Sequence, residues 1–229
     1  MNLTNPIQIV DYDDQSQHQL AVRKLIVHSF ATKFEALVRL APTEIVDLLG
    51  AIWVEQGNSP SGRQFIAMDG NQVVGVLSLK WCLKNPLQIK KDIHHIPLRK
   101  LCKQYGLRNV CMFMVGMIAL EYKPRPHECY IEHLAVASSH RKRGIARQLL
   151  ITAQQFANQH LHCKYISLHV SSSNTQAIRL YQQLNFRVES SHNSISRKFL
   201  FREPEWIFMM IPISNIQEAF QCLNNNPLD

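Results

Sequence analysis

The sequence predicts a mixed α/β fold, and three observations carry that prediction. Short runs of alternating apolar and polar residues are separated by longer stretches whose apolar residues recur at helical spacing. Asp69-Gly70 lies between two such short runs, Phe65 to Met68 and Val73 to Leu79, where it favours a tight antiparallel turn. From residue 129 onward strand-like and helix-like segments alternate without interruption.

Taken in order, Ile7 to Tyr12 reads as a first strand, and Leu20, Leu25, Ile26, Phe30 and Phe34 follow a helical spacing. Pro42-Thr43-Glu44 starts a helix that carries Ile45, Leu48, Leu49 and Ile52, and the stretch from Gly57 to Gly62 is a break. After the hairpin come the 46 residues from Leu83 to Glu128, read as two helices inserted between the third and fourth strands. Within them Lys90, Lys91, His94, His95, Arg99, Lys100 and Lys103 form a basic stretch, read as a solvated helix face because no aromatic residues interleave for base stacking. Met112, Phe113, Met114 and Met117 fit either an adaptable substrate groove or buried helix packing. Cys129 to Val136 is then a strand, Arg143 to Gln159 a helix, Tyr165 to Val170 a strand and Asn174 to Leu184 a helix. Phe186 to Glu189 begins another strand, Trp206 to Ile213 is the last, and the tail from Gln217 is expected to fray. No repeat interrupts this order, so residues 1–229 are expected to form a single domain with a helical insertion at about 83–128.

Composition narrows the partners. With 46% apolar and 18% charged residues the chain is neither disordered nor fibrous. The 25 Lys and Arg exceed the 17 Asp and Glu, which favours anionic ligands such as phosphorylated cofactors. The longest apolar run, Val110 to Leu120, is short of the roughly 20 residues a membrane span needs, and the first residues lack a secretory pattern. A cytoplasmic protein with no membrane partner is expected. Cys82, Cys102, Cys111, Cys129, Cys163 and Cys222 are scattered in apolar surroundings, as reduced and buried thiols would be. His160, His162 and Cys163 lack a second pair at zinc-site spacing, so no metal is expected.

The chemistry concentrates after the fourth strand. Ile131-Glu132-His133-Leu134-Ala135-Val136 feeds the turn Ser138 to Arg147, which holds four cations, Arg141, Lys142, Arg143 and Arg147, and no acid. The first N–H groups of a helix lack intrahelical acceptors and sit at its positive pole, so a diphosphate can bind there, with Gly144 and Ala146 leaving room. A purely structural helix start favours acids in that turn. The loop is neither a Walker loop nor a dinucleotide fingerprint.

Arg141-x-x-Gly144-x-Ala146 resembles the acetyl-CoA signature [QR]-x-x-G-x-[GA] of the GNAT superfamily. A second segment, from Asn174 through Ala177, Leu180 and Tyr181 to Asn185-Phe186, resembles that family's N-x-x-A-x-x-L-Y-x-x-x-G-F. Asn185 replaces the glycine, and Asn is its best substitute in the left-handed conformation that ends many helices.

The resemblance implies an acyl-CoA N-acyltransferase fold, a mixed central sheet flanked by helices whose fourth and fifth strands splay around the cofactor. It implies acetyl-CoA as acetyl donor, held by Leu134, Ala135, Val136, Arg141, Lys142, Arg143, Gly144, Ile145, Ala146, Arg147 and Asn174. It implies Tyr181 as the general acid that protonates the leaving thiolate, and direct attack by a primary amine in a ternary complex. Glu132 is read as the base or acceptor-binding residue, with Glu128 in reserve, because a lysine-like amine (pKa ~10.4) must first lose a proton. The acceptor is an amine-bearing small molecule or peptide, with Glu121 and Glu128 able to flank either. Nucleic acid is disfavoured and a homodimer is compatible. The other reading is a non-catalytic acyl-CoA-binding sensor or regulatory module.

Overall fold

In the computed structural model, which describes residues 6–12, 18–53, 59–82, 96–193, 200–201 and 205–213, the alternating segments form strands. These are β1 (Gln8–Asp11), β2 (Gly62–Asp69), β3 (Gln72–Trp81), β4 (Glu128–Val136), β5 (Tyr165–Ser171), β6 (Arg187–Asn193) and β7 (Glu205–Pro212). They build one seven-stranded sheet in the order β1-β2-β3-β4-β5-β7-β6. Every neighbouring pair is antiparallel except β4 beside β5.

Both faces are covered, which is why β3 is buried almost continuously from Val73 to Leu79. One face carries α1 (Gln19–Ser29), α2 (Ala31–Leu37), α3 (Pro42–Ile52), α4 (Leu98–Tyr105) and α5 (Leu107–Leu120), packed around Val22, Leu37, Leu48 and Phe113 against Ile66 and Val76. The other carries α6 (Ile145–His160), whose Leu149, Leu150, Ala153 and Ala157 pack on Leu77, Leu79 and Ile131, with α7 (Thr175–Gln183) joining through Tyr181. Gly75 of β3 lets α6 press close: a Cβ there would lie 3.0 Å from a Leu149 methyl and 3.1 Å from one of Ile145. In α3, Pro42 occupies the first turn, as the sequence predicts, and Glu44 accepts a 2.8 Å hydrogen bond from the Ala41 N–H.

The feature that creates the site is a failure of pairing. β4 and β5 are joined only from Glu128↔Tyr165 to Ile131↔Leu168. Beyond that point β4 continues with β3 as far as Val136↔Gly75, and β5 continues with β7 as far as Ser171↔Trp206. The two middle strands therefore diverge, as expected. Their divergence begins at a bulge: Ser78 lies opposite His133 and Leu79 opposite Ile131, so Glu132 has no partner across β3.

Several expectations are corrected. The helical spacing from Leu20 to Phe34 is two helices broken at Phe30 (φ −113°, ψ 26°), and Leu20 is exposed. Phe30, Phe34 and Leu37 keep an i, i+4, i+7 rhythm across the break, so periodicity does not mark it. The hairpin turn is Gly70-Asn71, since Asp69 pairs with Gln72. Among the described residues, the stretch between β3 and β4 contains two helices, α4 and α5. Phe113 is fully buried, and Met114 and Met117 pack on the same core, so these residues stabilise the fold rather than line the cleft described below. Arg99, Lys100 and Lys103 lie on the solvated side of α4, whereas the rest of the basic stretch and the tail from Gln217, with Cys222, fall outside the described residues. Of the other cysteines, none of which is in a disulfide, only Cys129 is buried, and Cys82 and Cys111 are exposed.

Candidate active site

The divergence of β4 and β5 opens a cleft of about 1130 Å³. One wall is β4 from Ile131 to Val136, the other is Leu168 to Ser171 with Asn174 and Tyr181, and the turn before α6 closes one end. Ser29, Phe30, Thr32 and Lys33, at the α1–α2 break, reach it from the other side.

The turn is shaped for an anion. Gly144 is the N-cap of α6 at φ 77°, and Lys142 also has a positive φ of 61°. The first intrahelical bond runs from the Gln148 N–H to the Gly144 carbonyl at 3.0 Å, which leaves the N–H groups of Ile145, Ala146 and Arg147 unused by the helix. A Cβ placed on Gly144 would meet nothing within 4 Å. The space beside those N–H groups is thus open, and an L side chain in it would be strained. Leu134, Ala135, Val136, Arg141, Lys142, Gly144, Ile145, Ala146, Arg147 and Asn174 all line the cleft. Arg143 does not. Its guanidinium lies 3.5 Å from Asp69, which also holds His140 at 3.3 Å. Asp69 ends β2, so the hairpin buttresses the turn from below. Arg141 donates to the Val136 carbonyl at 3.4 Å. A diphosphate fits this arrangement of free donors, cations and empty space.

Of the two predicted catalytic residues, Glu132 lies at the bulge, partly exposed, accepting a hydrogen bond from the Ser78 hydroxyl at 3.4 Å and facing Lys80 at 3.6 Å. Tyr181 comes from α7, whose N-cap Asn174 accepts the Ala177 N–H at 3.2 Å. The Tyr181 ring is buried and packs 5.8 Å from that of Phe186. Burial pushes its hydroxyl up to about 12, so it holds its proton throughout the neutral range. Asn185, just past α7, has φ 63°, the left-handed conformation expected of the residue that replaces glycine.

Glu128, the reserve base, is fully buried and outside the cleft. Its carboxylate accepts hydrogen bonds from the Tyr122 hydroxyl at 3.1 Å, the Arg125 N–H at 2.6 Å and the Ser167 hydroxyl. It ties the segment before β4 to β5 at the closed end of the two strands.

Sequence reading missed two histidines in the cleft. His169 of β5 is hydrogen-bonded through Nδ1 to the Tyr130 hydroxyl at 3.2 Å, within a cluster that includes Tyr122 and Phe208. His133 of β4 approaches the Gln64 amide at 3.3 Å and packs edge-on against Trp53, and burial lowers its pKa. A histidine between Leu168 and Val170 in an otherwise apolar strand end was the available signal for the first. The second depends on the bulge. Among the described residues no group of three or more His, Cys, Asp or Glu is arranged to hold a metal, and no helix is long and apolar enough to cross a membrane.

Comparison with known proteins bears on this geometry. Residues 106–186 match the family described as Acetyltransferase (GNAT) family. The chain is 31% identical over 125 residues to the N-terminal acetyltransferase A complex catalytic subunit NAA10 of Arabidopsis thaliana, a match covering 52% of this chain and 60% of that protein. It thus spans about three fifths of that relative's length. It is 22% identical over 129 residues to the L-amino acid N-acetyltransferase AaaT of Escherichia coli (strain K12), covering 54% of this chain and 77% of that one. Among solved structures, Arabidopsis thaliana NAA60 in complex with acetyl-CoA superposes with a TM-score of 0.52 at 15% identity, covering 91% of this chain and 99% of the other. A mutant of spermidine N-acetyltransferase SpeG from Vibrio cholerae does so with a TM-score of 0.56 at 14% identity, covering 93% and 97%. At such identities the structures share the fold.

Proposed function

We propose that this chain, which belongs to the GNAT acetyltransferase superfamily through residues 106–186, transfers an acetyl group from acetyl-CoA to a primary amine within the cleft between β4 and β5. The observation that carries the reading is the meeting, in that one cleft, of an open helix start, a carboxylate at a β-bulge and a buried tyrosine held protonated. Residues 1–229 act as one domain, with the segment 83–128 as an insertion.

Acetyl-CoA supplies an activated thioester and a diphosphate handle. The N–H groups of Gly144, Ile145, Ala146 and Arg147 hold the diphosphate, and Arg141, Lys142 and Arg147 neutralise it. Main-chain N–H groups of β4 near Leu134 and Val136 align the pantetheine arm and polarise the thioester carbonyl. Asn174 fixes the start of α7 and so the position of Tyr181.

Glu132 removes a proton from the acceptor amine, directly or through water, so that the free amine attacks in a ternary complex. His169, held by Tyr130 on the opposite wall, is a second group able to take that proton. Tyr181 donates its proton to the departing thiolate. Arg143 acts at one remove, fixing the turn through Asp69.

The acceptor is an amine-bearing small molecule or peptide. Steady-state release of thiol from acetyl-CoA with a panel of polyamines, aminoglycosides, amino acids and peptides tests the proposal. Amine-dependent release supports transfer, and binding without release in every case makes the cleft that of an acyl-CoA sensor.

A further inference from the structure

The cleft has the wrong charge for a polycationic acceptor. Among the described residues that line it, Glu132 is the single carboxylate, against Lys33, Arg141, Lys142, Arg147 and Arg179. Lys80 faces Glu132 at 3.6 Å and offsets it. The other acids that could flank an amine lie elsewhere: Glu128 is fully buried, Glu121 is exposed, and neither lines the cleft.

The cations divide between the two faces of the sheet. Arg141, Lys142 and Arg147 belong to the start of α6 and Arg179 to α7, where the phosphates of acetyl-CoA offset them. Lys33 comes from α2, on the other face. In β5, Leu168 and Val170 pack toward α6 and α7, so His169 between them faces α1 and α2. In β7, Trp206 and Phe208 alternate in the same way with Ile207 and Met209. With the cofactor held from the side of α6 and α7, an acceptor reaches the thioester from the side of α2. There the Lys33 ammonium sits 4.4 Å from the centre of the Trp206 ring and 5.2 Å from that of Phe30. The two rings hold it at the cleft and leave its positive charge on it.

We infer that the acceptor carries a carboxylate beside the amine that is acetylated, and that Lys33 is the residue that selects for it. This choice of acceptor rests on the transfer proposed above and narrows its substrate. The carboxylate is the α-carboxylate of a free amino acid or the acidic side chain at the start of a peptide. In both, the amine meets Glu132 or His169 while the anion meets Lys33. Spermidine or an aminoglycoside brings a second ammonium instead, and among the described residues the cleft offers it no second carboxylate. Like charges set against each other in this way exclude a wrong substrate.

Thiol release from acetyl-CoA is measured with L-amino acids and their carboxamides, with C-terminally amidated peptides that begin in Asp or in Asn, and with spermidine. A carboxylate-bearing acceptor is expected to exceed both its neutral counterpart and spermidine by about 10-fold or more in kcat/KM, the size of one charge-assisted contact. The amino acid leads if the α-carboxylate is read, and the peptide beginning in Asp leads if the side chain is. Lys33→Glu is expected to reverse the order, losing the acidic acceptor and gaining spermidine, whereas a merely structural defect lowers both. Lys33→Arg keeps the wild-type order, and acetyl-CoA affinity by calorimetry is unchanged in either variant. Neutral counterparts or spermidine accepted as well as the carboxylates overturn the inference and leave transfer standing. So does an order that Lys33→Glu does not change. Absence of transfer to every amine overturns both.

Discussion

Tyr181→Phe removes one oxygen and leaves the ring that packs on Phe186. The ring is only 8% exposed, and among the described residues its hydroxyl has no hydrogen-bond partner to strand, so stability near neutral pH should change by less than about 1 kcal/mol. Turnover should fall about 100-fold or more, because the departing thiolate loses its proton donor; that corresponds to about 3 kcal/mol of barrier. An alkaline titration isolates the same hydroxyl. Its pKa is raised by burial from 10 in the unfolded chain to about 12 in the folded one. The stability linked to it is therefore fully present below pH 10 and lost as the pH climbs toward 12, by up to about 3 kcal/mol. Urea unfolding across that range should show a smaller alkaline loss in Tyr181→Phe than in wild type. Thiol release, measured with acetyl-CoA and with a thioester of a more acidic thiol, should show the catalytic defect narrowing for the better leaving group. Wild-type turnover in a folded Tyr181→Phe protein would refute the argument and reduce Tyr181 to a packing residue.

Gly144→Asp places a negative charge and a strained side chain where the diphosphate is to lie, so acetyl-CoA affinity by calorimetry should drop at least 10-fold while the fold is kept. Glu132→Gln should lower turnover most near neutral pH and recover partly in alkali, where the amine sheds its own proton; a pH–rate profile superimposable on wild type would pass the role to His169 or water. Asn185→Val should cost about 1–2 kcal/mol in urea unfolding, because a β-branched residue is forced to φ 63°, whereas Asn185→Gly should cost nothing. Asp69→Ala should loosen the turn through lost contacts to His140 and Arg143, and so raise the KM for acetyl-CoA more than it lowers kcat.

The parts legible in the sequence are those where a backbone requirement selects a residue type. Gly144 and Asn185 stand at positive φ, Asn174 caps α7, and the cations of the turn replace the acids that a structural helix start prefers. The alternation of Cys129 to Val136 located β4 but not its bulge, because losing register at Glu132 depends on Ser78 and Leu79 of a strand some fifty residues earlier. That slip is what brings His133 beside Gln64. The contact of Arg143 with Asp69 was likewise out of reach, because Asp69 lies in a distant hairpin. Glu128 read as a second carboxylate of the site, but three donors, from Tyr122, Arg125 and Ser167, claim it. The break at Phe30 was hidden by continuous periodicity, and it is this break that brings Ser29 to Lys33 to the cleft.

Transfer itself is best read by following the acetyl group. The chain is incubated with acetyl-CoA isotopically labelled in the acetyl carbons and with each amine of the panel, while thiol release and the mass of the acceptor are recorded together. The account predicts one label on an acceptor amine for every thiol released, with both lost in Gly144→Asp. Label that stays on acetyl-CoA with every acceptor, although the cofactor binds, would contradict it.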